Sequence, residues 1–146
     1  MAGYSGTPLP KKLGIRPGAR LGLVRAPDGF DATLGELPEG VVAKSVGRGA
    51  GRFDVIVCFA RSRKELASDL PPLHARLDPA GGLWIAWPKK SAQKASGLAT
   101  DLTEAEVRAR GLATGLVDNK VCAIDETWSG LRFVVRLGDR AWTAKK

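Results

Sequence analysis

Six short apolar runs, separated by polar or glycine-rich connections, recur along the chain. They lie at residues 20–25, 40–46, 53–59, 83–87, 116–124 and 131–137. Residues 53–59 are almost continuously apolar, which is typical of a strand buried on both faces of a parallel sheet. The weaker run at 40–46 indicates a strand at or near an edge. The last two runs flank a polar connection at 125–130 and predict a hairpin. The pattern therefore predicts six strands.

A capping signal and a leucine repeat predict a helix after the third strand. Ser62 and Glu65 have the spacing of a capping box. Leucines then recur at helical intervals, at Leu66, Leu70, Leu73 and Leu77. The two prolines at 71–72 are expected to kink or restart the helix, because proline removes a backbone hydrogen bond. Residues 78–82 (DPAGG) are expected to stop the segment before the fourth strand.

A second capping box, Thr103 with Glu106, predicts a later helix, and residues 30–37 have room for one helical turn. Strand, helix and strand in this order imply a right-handed parallel crossover. The predicted fold class is therefore α/β: a single three-layer Rossmann-like domain with a mostly parallel sheet and a C-terminal antiparallel hairpin. All 146 residues are assigned to this domain, with residues 1–12 as an N-terminal arm and 138–146 as a basic tail.

The amino-acid composition limits the kinds of ligand and reactive site that can be expected of this chain. The 23 Lys and Arg residues outnumber the 15 Asp and Glu residues, and the net charge of +8 favours anionic partners. With His74 as the one histidine, zinc sites and His-based triads lack the residues they need, so no metal is expected. Cys58 and Cys122 lie in apolar runs and are interpreted as reduced core residues. No apolar segment approaches the ~20 residues of a membrane span and the N-terminus lacks the pattern of a secretion signal, so a cytoplasmic location is expected.

Ligands of open parallel α/β sheets bind outside the carboxyl ends of the strands. This rule selects eight candidates for binding an anion or nucleotide: Arg25, Asp28, Arg61, Ser62, Trp87, Lys89, Lys90 and Ser91. Ser62 opens a helix, whose free N–H groups favour a phosphate. Trp87 stands beside two ammonium groups and could stack a base. The alternatives are that the charged residues are solvated loop positions, that Ser62 is only an N-cap and that Trp87 packs in the core.

Other polar residues form a secondary set of candidates: Tyr4, Ser5, Thr7, Asp101, Asp125, Thr127 and Trp128. The loop at 125–129 could carry a lid or a partner contact, although turns also use such residues for backbone reasons. An N-terminal arm bearing Tyr4 could fold over the ligand face or pack on the sheet. No residue is assigned as a catalytic acid or base, and His74 is interpreted as structural.

Two segments resemble the class I methyltransferases. Residues 13–21 (LGIRPGARL) are similar to that superfamily's lead into its first strand, and residues 77–85 (LDPAGGLWI) to its approach to a later one. The resemblance implies the sheet order second, first, third, fourth, last, next-to-last strand, and S-adenosylmethionine as a candidate cofactor. The chain departs from these enzymes at residues 25–30 (RAPDGF), which hold one glycine where several are expected. It departs again at 44–48 (KSVGR), which are basic where an acidic residue is expected.

Four more segments resemble the bacterial family known as domain of unknown function 3052. They are 3–9 (GYSGTPL), 87–91 (WPKKS), 99–103 (ATDLT) and 125–131 (DETWSGL), and the similarity runs from Gly3 to about Val135. This resemblance implies the same fold and no particular activity.

The sequence thus favours a domain that binds a small anionic or nucleotide-like ligand at the carboxyl edge of its sheet without strong catalysis. A divergent S-adenosylmethionine-dependent methyltransferase is the alternative, and a nucleic-acid or protein interaction module is a second one. The basic residues are scattered, which favours weak nonspecific nucleic-acid binding over sequence-specific recognition. The oligomeric state stays open.

Overall fold

Six strands form one mixed sheet in the computed structural model, which describes residues 8–47, 51–90 and 100–136. The strands are β1 (Arg20–Val24), β2 (Val42–Ser45), β3 (Phe53–Phe59), β4 (Leu77–Pro88), β5 (Val117–Ala123) and β6 (Trp128–Val134). Their order is β2-β1-β3-β4-β6-β5. The pairs among β2, β1, β3 and β4 are parallel, whereas β6 is antiparallel to both β4 and β5. The predicted fold class, sheet order and C-terminal hairpin are confirmed.

Five helices connect and cover the described strands. They are α1 (Leu9–Lys12), α2 (Phe30–Leu34), α3 (Arg63–Asp69), α4 (Leu73–Arg76) and α5 (Glu104–Ala113). Both capping boxes act at the predicted N-termini: Ser62 Oγ accepts from the Glu65 N–H at 3.1 Å, and Thr103 Oγ1 from the Glu106 N–H at 3.2 Å. The prolines at 71–72 separate α3 from α4, as predicted. The last four residues of the predicted N-terminal arm form α1.

Apolar side chains bury both faces of the sheet, which gives the three layers expected. One cluster packs β3 and β4 against α3, α4 and α5, with Leu66, Leu73 and Val107 as helix contributions. The other packs the opposite face against α1, α2 and the turn that follows α1. Trp84 and Trp87 are three positions apart on β4 and therefore belong to opposite clusters. Strand β2 lies at the edge of the sheet and all four of its residues are exposed.

The helical segment ends before residues 78–82, as predicted, but the predicted start of the fourth strand at Leu83 is too late, because residues 78–82 already belong to β4. Between the pairs Phe53↔Leu77 and Val55↔Gly82, β3 advances two residues while β4 advances five, so β4 bulges. Asp78 Oδ1 accepts from the Ala80 N–H at 2.9 Å within this bulge. A Cβ on Gly81 would lie 2.2 Å from the Asp54 backbone oxygen. Glycine is needed here for close backbone approach inside the sheet and does not end the strand.

The predicted connection at 125–130 is too long, because β6 already begins at Trp128. The turn is closed by the Ile124 N–H, which donates to the Trp128 backbone oxygen at 2.9 Å. Asp125 Oδ1 accepts from the N–H groups of Thr127 and Trp128, both at 2.8 Å. Ser129 and Gly130 then pair with Trp87 and Ala86 of β4. Their polar and small character suggests a loop, but the neighbouring strand recruits them into the sheet.

Parts of two predicted loops and both ends of the chain lie outside the described residues. These parts are residues 48–50 of the basic loop after β2, residues 91–98 of the polar loop after β4, residues 1–7 and the basic tail at 138–146. None of the helices in the described ranges is long and apolar enough to cross a membrane.

Candidate functional site

The carboxyl ends of β1, β3 and β4 meet at one edge of the sheet. Strand β1 has β2 on one side and β3 on the other, so the direction of winding reverses between β1 and β3. Ligands in open α/β sheets bind in the crevice at such a switch point. Arg25 follows β1, Arg61 lies two residues after β3 and Lys89 follows β4. The topology therefore brings the three cations predicted from separate segments to the same edge.

The hairpin joins this edge as well. The Lys89 N–H donates to the Thr127 backbone oxygen at 2.7 Å, which fixes the end of β4 against the start of β6. The guanidinium carbon of Arg61 lies 5.3 Å from the centroid of the Trp128 ring. Asp125 holds the turn itself through its two backbone hydrogen bonds. Thr127 and Trp128, secondary candidates from the sequence, thus adjoin the primary candidates Arg61 and Lys89.

Two arginines bridge the crevice between β1 and β3. Arg25 extends over α3, where its Nε lies 2.5 Å from Asp69 Oδ2 and its Nη1 lies 3.6 Å from Glu65 Oε2. Arg61 Nη1 donates to the Arg25 backbone oxygen at 3.5 Å. The hydrogen bond from Arg25 to Asp69 raises the pKa of Arg25 above its usual value. Arg25 also has a φ of +54°, which is uncommon outside glycine.

Sequence reasoning missed Glu65 and Asp69, the acidic partners of Arg25. They are four residues apart and lie on the helix that follows β3. Side chains at this spacing share one helix face. That spacing, combined with the predicted parallel pairing of the first and third strands, is a signal that could have placed two carboxylates opposite the loop after β1.

The N-terminus of α3 is occupied by the protein's own side chains. Besides the Ser62 cap, Asp101 Oδ1 accepts from the Arg63 N–H at 2.8 Å, and Glu65 Oε1 accepts from the Arg61 N–H at 2.9 Å. The N–H groups of Arg63 and Glu65, two of the backbone donors that the sequence suggested for a phosphate, therefore already have acceptors. The N-cap alternative describes Ser62 in this structure, and Asp101 serves the same helix end.

Neither tryptophan at the edge has a free ring face. Trp87 is 6% exposed and packs in the cluster with α3 and α5. Trp128 is 3% exposed and meets Phe59 edge to face, with ring centroids 5.0 Å apart. Phe30, just after the loop that follows β1, packs on the other side of Phe59 at 4.8 Å. The aromatic residues at this edge are thus buried in the two cores, whereas Arg61, Lys89 and Lys90 remain at least partly exposed.

Arg61, Lys89 and Lys90 form no ion pair with any carboxylate in the described part of the chain. Lys90 is exposed, and Arg61 and Lys89 are partly exposed. Asp28 is exposed in the turn after β1. Four predicted site residues, Tyr4, Ser5, Thr7 and Ser91, lie outside the described residues.

The other potentially reactive groups of the described ranges include the Cys58 thiol and the His74 imidazole. Those ranges hold no group of three or more His, Cys, Asp or Glu side chains placed to bind a metal ion. Burial raises the pKa of the Cys58 thiol to about 12, so this thiol stays protonated at neutral pH. His74 Nδ1 lies 2.8 Å from the Thr114 backbone oxygen and joins α4 to the end of α5. Both residues are structural, as the sequence suggested.

An open groove of about 940 Å³ lies apart from the edge cations, between α1 and the connection from α2 to β2. Its apolar walls include Leu9, Ile15, Leu34 and Leu37, and Asp125 borders one end. Its volume falls in the range of ligand pockets. None of the cations Arg25, Arg61, Lys89 and Lys90 lines it. This groove and the edge cations are therefore different features of the described structure, although Asp125 of the hairpin borders the groove.

Comparison with solved structures identifies methyltransferases of the same fold. The ribosomal protein L11 methylase of Lactobacillus delbrueckii subsp. bulgaricus is 13% identical with a TM-score of 0.58, and the match covers 88% of this chain and 75% of that one. DhpI in complex with S-adenosylhomocysteine is 10% identical with a TM-score of 0.60, covering 89% and 83%. The Burkholderia thailandensis 1,6-didemethyltoxoflavin-N1-methyltransferase, also solved with S-adenosylhomocysteine, is 16% identical with a TM-score of 0.54, covering 86% and 73%.

These structural neighbours are class I S-adenosylmethionine-dependent methyltransferases, and the chain has their Rossmann-like fold. At sequence identities of 10–16%, the similarity shows a shared fold and not a shared activity. Some neighbours are much longer: the chain covers 52% of the methyltransferase CalO1. No family model and no curated protein matches the chain.

Proposed function

We propose that this protein binds a small anionic or nucleotide-like ligand at the carboxyl edge of its sheet without strong catalysis. The observation that carries the proposal is the group formed by Arg61, Lys89 and Lys90. Their side chains lie after β3 and β4 and form no ion pair with a carboxylate in the described chain, and Arg61 and Lys89 both border the start of β6. Phosphate is the natural partner for them, because guanidinium and ammonium groups make charge-assisted hydrogen bonds to its oxygens.

The surrounding charges support an anion at this place. The net charge of +8 raises the local concentration of anions near the protein. Asp101 and Asp125, two of the candidate carboxylates, are directed to backbone N–H groups, so their negative charge is partly satisfied within the fold. The same engagement favours a binding role over an acid–base role for these two residues, because a general base must be free to take a proton from its substrate.

A divergent S-adenosylmethionine-dependent methyltransferase is the second candidate. Its support is the fold, together with structural neighbours solved with S-adenosylhomocysteine. We also keep the assignment to the family of domain of unknown function 3052, and the single domain over residues 1–146, as proposals that rest on the sequence. Against the methyltransferase stand Arg25, which is tied to α3, and Lys44 and Ser45 at the end of β2, where that superfamily places an acidic residue.

Thermal unfolding with three added compounds separates these candidates. ADP, S-adenosylhomocysteine and inorganic polyphosphate are each added to the protein at fixed ionic strength. A ligand present at 100 times its Kd stabilises a protein by ~2.7 kcal/mol, which corresponds to roughly 5–10 °C in Tm for a domain of this size. The proposal predicts such a shift with ADP. A shift with S-adenosylhomocysteine alone would favour the methyltransferase, and steeply salt-dependent binding of polyphosphate alone would favour a nucleic-acid interaction module.

A charge-matched pair of variants tests the location. In Lys89→Gln/Lys90→Gln, ADP affinity should fall at least tenfold, because two charged phosphate contacts worth over a kcal/mol together are removed. The control Arg16→Gln/Arg52→Gln also removes two exposed positive charges, but before β1 and β3, at the opposite edge. It should leave affinity nearly unchanged. If both double variants lose ADP affinity equally, the effect comes from net charge alone. If Lys89→Gln/Lys90→Gln loses no affinity, the ligand binds elsewhere on the protein.

A further inference from the structure

A closed ring of contacts spans the crevice between β1 and β3. The Arg25 guanidinium reaches Asp69 and Glu65 on α3. The second oxygen of Glu65 accepts from the Arg61 N–H at 2.9 Å, and Arg61 Nη1 returns to the Arg25 backbone oxygen at 3.5 Å. The crevice is the position in which open α/β sheets hold their ligands. In this protein the side chains of Arg25, Arg61, Glu65 and Asp69 bridge the crevice.

The two partners of the central ion pair differ in their exposure. The Asp69 side chain is 16% exposed, whereas that of Arg25 is 43% exposed. The Asp69 side chain, on α3, is therefore mostly covered by the protein, whereas the Arg25 guanidinium remains partly exposed to solvent. The backbone of Arg25 is in the left-handed region, a conformation that persists only when surrounding contacts hold it. The contacts to Asp69 and Glu65 tie the side chain of this residue to α3.

We propose that Arg25 is a latched anion-binding residue: Asp69 and Glu65 of α3 hold its guanidinium, and a phosphate group that enters the crevice must displace them. The inference rests on the proposed function and adds its regulation. When a phosphate binds, Arg25 exchanges its hydrogen bonds to Asp69 and Glu65 for hydrogen bonds to the phosphate. The contribution of Arg25 to the binding free energy is therefore the difference between these two sets of hydrogen bonds. The equilibrium between held and free Arg25 thus sets the apparent affinity of the site.

The latch also predicts which anions bind. A monocarboxylate would replace protein carboxylates by a group of the same kind and gain little from Arg25. A phosphate or pyrophosphate group carries more charge and more acceptor oxygens, so it can engage Arg25 and Arg61 together. The site should therefore discriminate phosphorylated ligands from carboxylates of similar size.

Calorimetric titration with inorganic pyrophosphate tests the latch. Asp69→Asn keeps the shape of the side chain and removes the charge that holds Arg25. If Arg25 is free for about a tenth of the time in the parent protein, the variant should bind pyrophosphate up to about tenfold more tightly. The control is Asp118→Asn, which removes one partly exposed carboxylate from Arg108, a contact of 3.0 Å between α5 and β5. Both variants change the net charge equally, and only the first removes a contact that holds Arg25, so that Glu65 alone remains.

A second variant guards against an effect of Asp69 on folding. Arg25→Gln should weaken pyrophosphate binding, and Asp69→Asn should then give no further gain in the Arg25→Gln background. If Asp69→Asn binds no more tightly than Asp118→Asn, or still tightens binding without Arg25, the latch is wrong. The proposed function can fail separately from the latch. If pyrophosphate binds more tightly to Asp69→Asn but its affinity is unchanged in Lys89→Gln/Lys90→Gln, Arg25 is latched as proposed, but Lys89 and Lys90 do not contribute to the binding site. Absence of pyrophosphate binding in parent and variants alike overturns both proposals.

Discussion

Trp84 shows how a single side chain ties distant parts of the chain together. Its indole Nε1 donates to the Leu13 backbone oxygen at 3.0 Å, across 71 positions of sequence. Both residues are fully buried. The hydrogen bond therefore satisfies a carbonyl that water cannot reach, and it fixes the turn after α1 on the face of the sheet.

Trp84→Phe should lower the free energy of unfolding by about 2 kcal/mol, because it leaves the Leu13 oxygen buried without a donor and creates a small void. Urea denaturation measures the change. Trp87→Phe makes the same truncation on the other face of β4, where no indole hydrogen bond is found in the described structure, and should cost less. Equal losses from the two variants would show that volume alone matters.

Helix α5 lies unusually close to β6. A Cβ on Gly111 would fall 2.1 Å from Cε2 and 2.2 Å from Cζ of Phe133. Both residues are buried in the cluster that α5 shares with β4 and β6. Glycine in a helix interior normally costs stability, so its presence here reflects the packing of the helix on the sheet.

Gly111→Ala should destabilise the fold by about 1–3 kcal/mol through overpacking against Phe133, although alanine in a free helix would gain about 1 kcal/mol. The free energy of unfolding from urea titration decides the sign. Ala109→Gly, at an exposed position of the same helix, reports the intrinsic helix preference and should cost about 1 kcal/mol. A stabilised Gly111→Ala would mean that α5 can move away from β6.

Over the whole molecule, the two edges of the sheet use charge differently. At the amino edge, Arg20 of β1 bridges Asp54 of β3 and Asp78 of β4, with contacts of 3.0 and 3.2 Å. The charges there cross-link three strands. At the carboxyl edge, Arg25 is paired with Asp69 and Glu65, but the side chains of Arg61, Lys89 and Lys90 form no ion pair with a carboxylate among the described residues. The first edge stabilises the fold, and the second is left with the positive charge that a ligand can use.

The amino-edge network predicts a pH dependence of stability. The hydrogen bond from Arg20 holds the pKa of Asp54 below its ordinary value of 3.8. A carboxyl whose pKa is lower in the folded state stabilises the fold above its ordinary pKa and loses that contribution as pH falls through the lowered value. The advantage of the parent protein over Asp54→Asn should be constant near neutral pH and shrink below about pH 4.

Urea unfolding at a series of pH values measures this difference, which should stay below about 1 kcal/mol because both side chains are substantially exposed. Asp28→Asn, which removes an exposed carboxyl that makes no ion pair in the described chain, is the charge-matched control. A difference between parent and Asp54→Asn that persists unchanged at low pH would mean that the carboxylate charge is not its source.

The strand order was implied by the resemblance to class I methyltransferases. The sequence by itself determined the strands, the starts of α3 and α5 and the residue types at the carboxyl edge. These features follow from local rules: apolar runs for β3, side-chain caps at Ser62 and Thr103, and helix breaks at proline. The bulge in β4 and the early start of β6 were not predictable in this way. They arise because neighbouring strands supply hydrogen-bond partners to glycine-rich and polar segments that look like loops.

Only the tertiary structure decided which of the candidate residues are already engaged. Asp101 caps α3 across 38 positions of sequence, and Asp69 reaches Arg25 across 44. Trp87 and Trp128 are buried because helices and strands distant in sequence cover them. Charge partners and ring burial depend on which segments the fold brings together, and a single sequence records residue types and spacing but not those distances. The same amino acids therefore predict a cationic edge, and the fold determines which of its cations remain unpaired.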